Sequence, residues 1–251
     1  MTKSQKFFSC IAHTPLIAVL RGLKPNDALA VGQLLVDAGI TVLEVPVRKK
    51  ADNFAVLDVE SIRSIEILAN KFGREVIVGA GTVKKVDDVA AVSQAGGEII
   101  VSPNSVPTVI EAAVKAGLIC TPGVETLSEA EAAFNLGATG VKIFPCASKH
   151  PVSGDIVYRH DPSYVKMLVD FLPGPVYPSG GINLDNMAAY WAAGVGALNI
   201  GGDLYKPGLS LDQLSARAGA YVKKAKELQM QNGQATDCAA ANTKVLRAAT
   251  A

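Results

Sequence analysis

Short apolar runs recur along this chain, each closed by a Gly-, Pro- or Ser-bearing turn and followed by a helical pattern. They are PLIAVLR from 15, VLEVPV from 42, VIVGAG from 76, EIIVSP from 98, LICTPG from 118, GVKIFP from 140, VYPSGG from 176 and ALNIGG from 197. Four of the spacings between run starts, from 76 to 140 and from 176 to 197, are 22, 20, 22 and 21 residues. One strand, one helix and two short loops take up about that length. Between the runs lie amphipathic stretches: Pro25 to Ala38, Lys85 to Ala95, Val106 to Ala116, Ser128 to Leu136 and Asn183 to Ala193. Each is followed by a glycine (Gly39, Gly96, Gly117, Gly137, Gly194), the residue suited to a left-handed C-cap. Thr126-x-x-Glu129 ahead of the fourth is a capping-box pattern. Eight strands in strict alternation with helices predict a closed (β/α)8 TIM barrel. An open, doubly wound sheet is the alternative, because spacing does not reveal closure.

Two repeats are longer than the rest. Arg48 to Glu75 adds a polar segment before its helix, and Cys146 to Asp161 (CASKHPVSGDIVYRHD) inserts a polar loop after the sixth strand. Loops that follow barrel strands lie on the catalytic face, so this insertion is expected to contact substrate or cover it. A solvated surface loop is the plainer reading. One domain over 1–228 is expected, followed by a tail over 229–251 that loses periodicity and reads as disordered or arm-like.

Composition narrows the class. Of 251 residues, 49% are hydrophobic and only 6% aromatic, so the core must be aliphatic, which suits parallel strands covered on both faces. With 24 basic against 23 acidic side chains, no nucleic-acid surface or polybasic membrane patch is indicated, and anion binding must come from a local site. Cys10, Cys120, Cys146 and Cys238 are scattered without a CxxC pair or a His cluster, so neither a zinc site nor a disulfide framework is expected. The N-terminus lacks the apolar stretch and cleavage site of a signal peptide, and no run is long enough for a membrane span. A cytoplasmic protein is expected.

Charged residues inside apolar strands are where chemistry should sit. Lys142, in Gly140-Val-Lys-Ile-Phe-Pro145, would be desolvated there; desolvation lowers an amine's pKa and makes it nucleophilic toward carbonyls. A lysine reaching the barrel mouth, or half of a buried ion pair, is the plainer reading. Glu44, in Val42-Leu-Glu-Val-Pro-Val47, could relay protons beside such an amine, or form a salt bridge with Lys142 or Arg48. Arg48 shares Glu44's face if the strand continues that far, and could then hold a carboxylate in bidentate fashion. Equally, Arg48-Lys49-Lys50 reads as a solvated run at a loop start. Gly79-Ala-Gly-Thr-Val83 offers close backbone approach with a hydroxyl at Thr82. The glycine pairs of Pro178-Ser-Gly-Gly-Ile182 and Asn199-Ile-Gly-Gly-Asp203 end strands seven and eight, where many barrels cradle phosphate. Taken by themselves, tight turns needing positive φ explain them better than phosphate binding does; no Lys- or Arg-bearing phosphate motif accompanies them, and Asp203 adds a negative charge.

With those residues in place, the chain from about Thr14 to Leu228 resembles the aldolases acting on 2-dehydro-3-deoxy-6-phosphogluconate and 2-dehydro-3-deoxy-6-phosphogalactonate, a family that includes 4-hydroxy-2-oxoglutarate aldolases. The resemblance is carried by Ile17-Ala-Val-Leu-Arg-Gly22, Glu44-Val-Pro-Val-Arg48, Gly79-Ala-Gly-Thr-Val83 and Val101-Ser-Pro-Asn104. It continues in Thr121-Pro-Gly-Val124, Val141-Lys-Ile-Phe-Pro145, Pro178-Ser-Gly-Gly-Ile182 and Gly201-Gly-Asp-Leu-Tyr205. It implies a class I aldolase with Lys142 as Schiff-base lysine and Glu44 as general acid/base. Arg48 and Thr82 would hold the 2-oxo acid carboxylate, and Phe144 and Pro103 would line the pocket. The backbones of Gly180, Gly181, Gly201 and Gly202 would face the distal phosphate, and Ser179 would also contact substrate. Arg21 would also contact substrate; with Gly201-Gly-Asp-Leu-Tyr205 it is the phosphogalactonate-like feature, whereas Arg48 is the phosphogluconate-like one. The resemblance also implies no metal or other cofactor and a homotrimer. The loop after Lys142 is longer than is usual in either branch, and Gly202 stands where a serine is often found. A non-phosphorylated 2-oxo acid is the alternative substrate; a non-covalent sugar-phosphate epimerase or isomerase, or a non-catalytic binding barrel, is the alternative class. His13, His150 and His160 lie outside the core strands, which disfavours the epimerase.

Overall fold

Every one of the eight apolar runs forms a strand in the computed structural model, which describes residues 1–49, 53–150 and 152–232. In chain order the strands are β1 (Leu16–Val19), β2 (Val42–Pro46), β3 (Ile77–Gly81), β4 (Ile99–Val101), β5 (Ile119–Thr121) and β6 (Gly123–Val124). They continue with β7 (Val141–Ile143), β8 (Ala147–Lys149), β9 (Ile156–Tyr158), β10 (Val176–Pro178) and β11 (Leu198–Ile200). The helices are α1 (Lys3–His13), α2 (Pro25–Asp37), α3 (Val59–Phe72), α4 (Val86–Gln94), α5 (Pro107–Lys115), α6 (Leu127–Asn135), α7 (Pro162–Phe171), α8 (Met187–Ala192) and α9 (Leu211–Asn232). All pairings except β8–β9 are parallel, and they form a curled α/β sheet. Six strands run in the order β11-β1-β2-β3-β4-β5 and three in the order β10-β7-β6. Pro122 alone separates β5 from β6, so one extended run pairs β4 on one side and β7 on the other. A parallel bridge between Ser179 and Asn199 links the other flank.

Helix ends follow the local chemistry. Thr126 accepts from the Glu129 amide and the Glu129 carboxylate returns to the cap, closing the expected box. The five glycines that follow the expected helices all take positive φ, between 63° and 97°. The eighth helix begins later than the spacing predicts. Asn183 and Asn186 cap one another's backbone, at 2.9 and 3.1 Å, and hold the chain in a turn until Met187.

Alternation along the strands divides the core in two. Outward residues such as Leu43, Val45, Val78, Ile100 and Ile143 pack with the helices. Inward residues Ile17, Val42, Ile77, Ile99, Ile119 and Tyr177 form a second cluster with Phe7, Phe8 and Ile11 of α1. The sequence reading contained no α1, although Thr2-x-x-Gln5 is a capping box and Phe7, Phe8 and Ile11 keep helical spacing. This helix seals the amino-terminal end of the sheet: Phe7 is fully buried and meets Tyr177 edge-on, ring centroids 5.8 Å apart. The insertion after β7 is a β8–β9 hairpin rather than a plain loop, since Ile156, Val157 and Tyr158 are strand formers that pair with 147–149. The final helix runs to Asn232, past the expected boundary at 228; the remainder of the expected tail, with Cys238, lies outside the described residues. No helix among the described residues is long and apolar enough to cross a membrane.

Candidate active site

Helix α1 packs against the amino-terminal end of the strands, and the interior opens where the strands end at their carboxyl side. A cavity of about 810 Å³ lies there. Lys142 projects inward from the middle of β7, whose neighbours Val141 and Ile143 face the helices. Glu44 projects inward from the middle of β2 and is only 1% exposed. The two are buried in one interior, and each is the strongest charge acting on the other. Burial is nevertheless the larger influence on both. It pulls the Lys142 amine below its ordinary 10.5, against Glu44 and with help from Arg21. It pushes the Glu44 carboxyl above its ordinary 4.5, against Lys142 and Arg21. Both shifts favour a neutral amine beside a neutral acid.

The backbone is shaped around these groups. A Cβ at Gly81 would fall 1.6 Å from Glu44 Oε1, so only glycine leaves room for that carboxyl. Glu44 Oε2 has no hydrogen-bond partner among the described residues. Thr82 follows with φ +58°, a strained conformation for a β-branched residue, and its Oγ1 accepts from Arg21 Nη2 at 3.3 Å. The Lys142 Nζ stands 5.0 Å from the centre of the Phe144 ring. That ring packs over Gly180, where a Cβ would meet it at 3.1 Å.

The cavity gathers most of the residues singled out from sequence. Arg21, Thr82, Pro103, Lys142, Phe144, Ser179, Gly180, Gly181, Gly201 and Gly202 all line it, and Glu44 lies buried beside Lys142. Arg48 does not join them. Strand β2 stops at Pro46, so the face shared with Glu44 ends before position 48. Its guanidinium instead makes a two-point pair with Asp88, Nε to Oδ2 at 3.0 Å and Nη2 to Oδ1 at 2.7 Å, neither side chain more than 2% exposed. The alternative salt bridge between Glu44 and Arg48 therefore does not form, because Asp88 of α4 takes the guanidinium.

Several lining residues were not foreseen. Lys84 and Lys206 supply exposed cations at the mouth, Phe54 one wall, and Ser148 and Ile156 of the hairpin another. The lysines follow the third and eighth strands by a few residues, which was the available signal; their direction was not readable. With Arg21 they put three cations near the paired glycines, the basic groups that the sequence motif lacked. Asp203 also lines the cavity, but its Oδ2 is engaged by the Tyr221 hydroxyl at 2.5 Å. Among the described residues no three His, Cys, Asp or Glu side chains gather as they would around a metal ion.

Known proteins resemble this chain over most of its length. The model of the family "KDPG and KHG aldolase" matches residues 8–213. The 2-dehydro-3-deoxy-6-phosphogalactonate aldolase of Escherichia coli K12 is 34% identical over 215 residues, 85% of this chain and 95% of that protein. A probable 2-dehydro-3-deoxy-6-phosphogalactonate aldolase of Rhizobium meliloti is 36% identical over 210 residues, 83% of this chain and 90% of the relative. A solved structure described as native KDPGal superposes with a TM-score of 0.73 at 34% identity, covering 86% of this chain and 96% of its own. A buried Lys–Glu pair under a glycine-rimmed cavity, in a sequence matched over this length, leads to one conclusion: the chain is a carbon–carbon lyase belonging to the KDPG and KHG aldolase family.

Proposed function

We propose that this aldolase cleaves 2-dehydro-3-deoxy-6-phosphogalactonate through a Schiff base on Lys142. The observation that carries the reading is the burial of Lys142 and Glu44 together, with burial drawing both toward their neutral forms. A neutral amine can attack the C2 carbonyl, and a neutral carboxyl can protonate the departing hydroxyl as the carbinolamine loses water. Glu44, now a carboxylate, takes the proton from the C4 hydroxyl. The C3–C4 bond then breaks, its electrons pass to the iminium, and glyceraldehyde 3-phosphate leaves. Protonation of the enamine at C3 and hydrolysis release pyruvate and the free lysine.

The proximal carboxylate suits Arg21 and Thr82, which already share a hydrogen bond. The distal phosphate suits the Gly180–Gly181 and Gly201–Gly202 backbones with Lys84 and Lys206 beside them. The galactonate epimer is favoured by the names of the two relatives at 34% and 36% identity. The same cations would also fit the distal carboxylate of 4-hydroxy-2-oxoglutarate, so a comparison of kcat/KM for the two substrates belongs beside the main test. A closed (β/α)8 barrel is part of this reading, supported by the run from 119 to 124 that pairs on both sides and by the Ser179–Asn199 bridge. So are a homotrimer, testable by sedimentation, and a cytoplasmic location, testable by fractionation.

The decisive experiment is borohydride reduction in the presence of pyruvate, followed by peptide mass mapping. A reduced pyruvyl adduct on Lys142, absent from Lys142→Ala, is expected. Folded protein that traps no pyruvate, or a Lys142→Ala variant with unchanged cleavage, would remove the proposal.

A further inference from the structure

We infer that the buried Arg48–Asp88 pair is a positioning strut for two loops at the cavity mouth and that Arg48 does not itself meet the substrate. The inference rests on the aldolase reading above for what the cavity binds. Arg48 has five N–H donors, and four find protein acceptors. Two go to the Asp88 carboxylate; Nη1 donates to the carbonyls of Phe54 and Ala55, at 3.0 and 2.5 Å. Asp88 Oδ2 in turn accepts from the backbone amides of Lys84 and Lys85, both at 3.0 Å. Two side chains therefore stitch together the segment after β2 and the segment after β3.

What the strut holds is functional surface. Phe54 and Lys84 both line the cavity, and Lys84 sits two residues beyond Thr82. Asn53 and Phe54 have φ of +48° and +57°. Asparagine tolerates that conformation, but a residue as bulky as Phe54 keeps it only where the surroundings impose it, and Arg48 grips the Phe54 carbonyl and the one after it. A carboxylate ligand needs donors free to face the cavity; Arg48 has spent nearly all of its own and is 2% exposed. Arg21 lines the cavity and is exposed, so the arginine that meets substrate is Arg21. The planar fork is needed to reach Asp88 and the loop carbonyls at once, which a lysine cannot do.

The test compares Arg48→Lys, Asp88→Asn, the double variant and Phe54→Ala with the wild type. Three quantities are measured: the pyruvate concentration that half-saturates borohydride trapping, and kcat and KM for 2-dehydro-3-deoxy-6-phosphogalactonate cleavage. The strut predicts a KM raised roughly tenfold in each single variant, with pyruvate half-saturation within about twofold of wild type. It also predicts a double variant no worse than the weaker single one, as expected for members of one unit. A tenfold loss of pyruvate affinity in Arg48→Lys alone would show a direct carboxylate ligand and overturn the strut. So would an unchanged KM in Phe54→Ala, a half-buried surface position whose variant folds whether or not the buried pair tolerates change. Chymotrypsin cleavage after Phe54 reads the strut independently of catalysis: faster cutting in Arg48→Lys and Asp88→Asn supports it, and equal rates overturn it. Wild-type protein that traps no pyruvate would therefore remove the aldolase reading while the strut stands or falls on proteolysis.

Discussion

Lys142 and Glu44 each sit where their charged form is disfavoured, and that cost has a measurable sign. The Lys142 amine titrates below 10.5 in the folded chain, so its protonated form destabilises the fold at lower pH, and the penalty vanishes above the unfolded value. Lys142→Met should therefore raise Tm by about 2–4 °C at neutral pH, with the gain closing as pH approaches 10.5. Thermal unfolding of both proteins across that range checks it; a lower Tm for the variant would mean that attraction to Glu44 outweighs burial. The penalty at Glu44 opens in the other direction, as pH rises above 4.5. Removing its proton transfer is a kinetic matter: Glu44→Gln should lower kcat by about 10²–10⁴-fold while slow pyruvate trapping on Lys142 persists. Gly81→Ala should reproduce that phenotype in the same assay, because the added Cβ would meet Glu44 Oε1 at 1.6 Å.

At the scale of elements, the strands supply the chemistry and α1 supplies the floor beneath it. Inward positions near the amino ends of the strands are apolar, and Phe7, Phe8 and Ile11 press against them. One layer further along come Glu44 and Lys142. Phe7 is fully buried, and Phe7→Ala should cost about 3–5 kcal/mol, read as a lower urea midpoint at unchanged slope. A loss below about 1 kcal/mol would show that the floor is self-sufficient without the helix. The β8–β9 hairpin acts on the opposite end. The Ala147 amide donates to Gly180 O at 2.9 Å, which fixes the hairpin against the glycine loop and brings Ser148 and Ile156 into the cavity wall.

For the molecule as a whole, a net charge of +1 conceals a local concentration of cations. Arg21, Lys84 and Lys206 converge on one mouth, drawn from the loops after β1, β3 and β11. Exposed charges of this kind are screened over about 8 Å at physiological salt. Raising NaCl from about 0.05 to 0.5 M should increase KM for the phosphorylated substrate several-fold. Pyruvate trapping on Lys142 should depend on salt less steeply, since of the three cations only Arg21 faces the proximal carboxylate. A Lys84→Ala/Lys206→Ala variant should show a flattened salt dependence in the same steady-state assay. Equal salt slopes in variant and wild type would remove these lysines from substrate capture.

Much of this was written in local pattern. Apolar runs at regular spacing located eight strands because burial on both faces demands continuous hydrophobicity. Glycines marked helix ends because only they take positive φ without strain. Lys142 and Glu44 stood out because a charge inside such a run is costly unless used. What the pattern could not carry was direction and partnership between distant segments. Arg48 looked like a ligand by its distance from Glu44, yet Asp88, forty residues away, claims its guanidinium. Lys84 and Lys206 carried no mark in the local pattern, and only the fold brings both to one cavity. The sequence by itself determined the eight strands and the two charges carried inside them, Lys142 and Glu44, since those follow from periodicity and desolvation. Only the tertiary structure decided which arginine faces the cavity, because that choice depends on acceptors supplied by other elements.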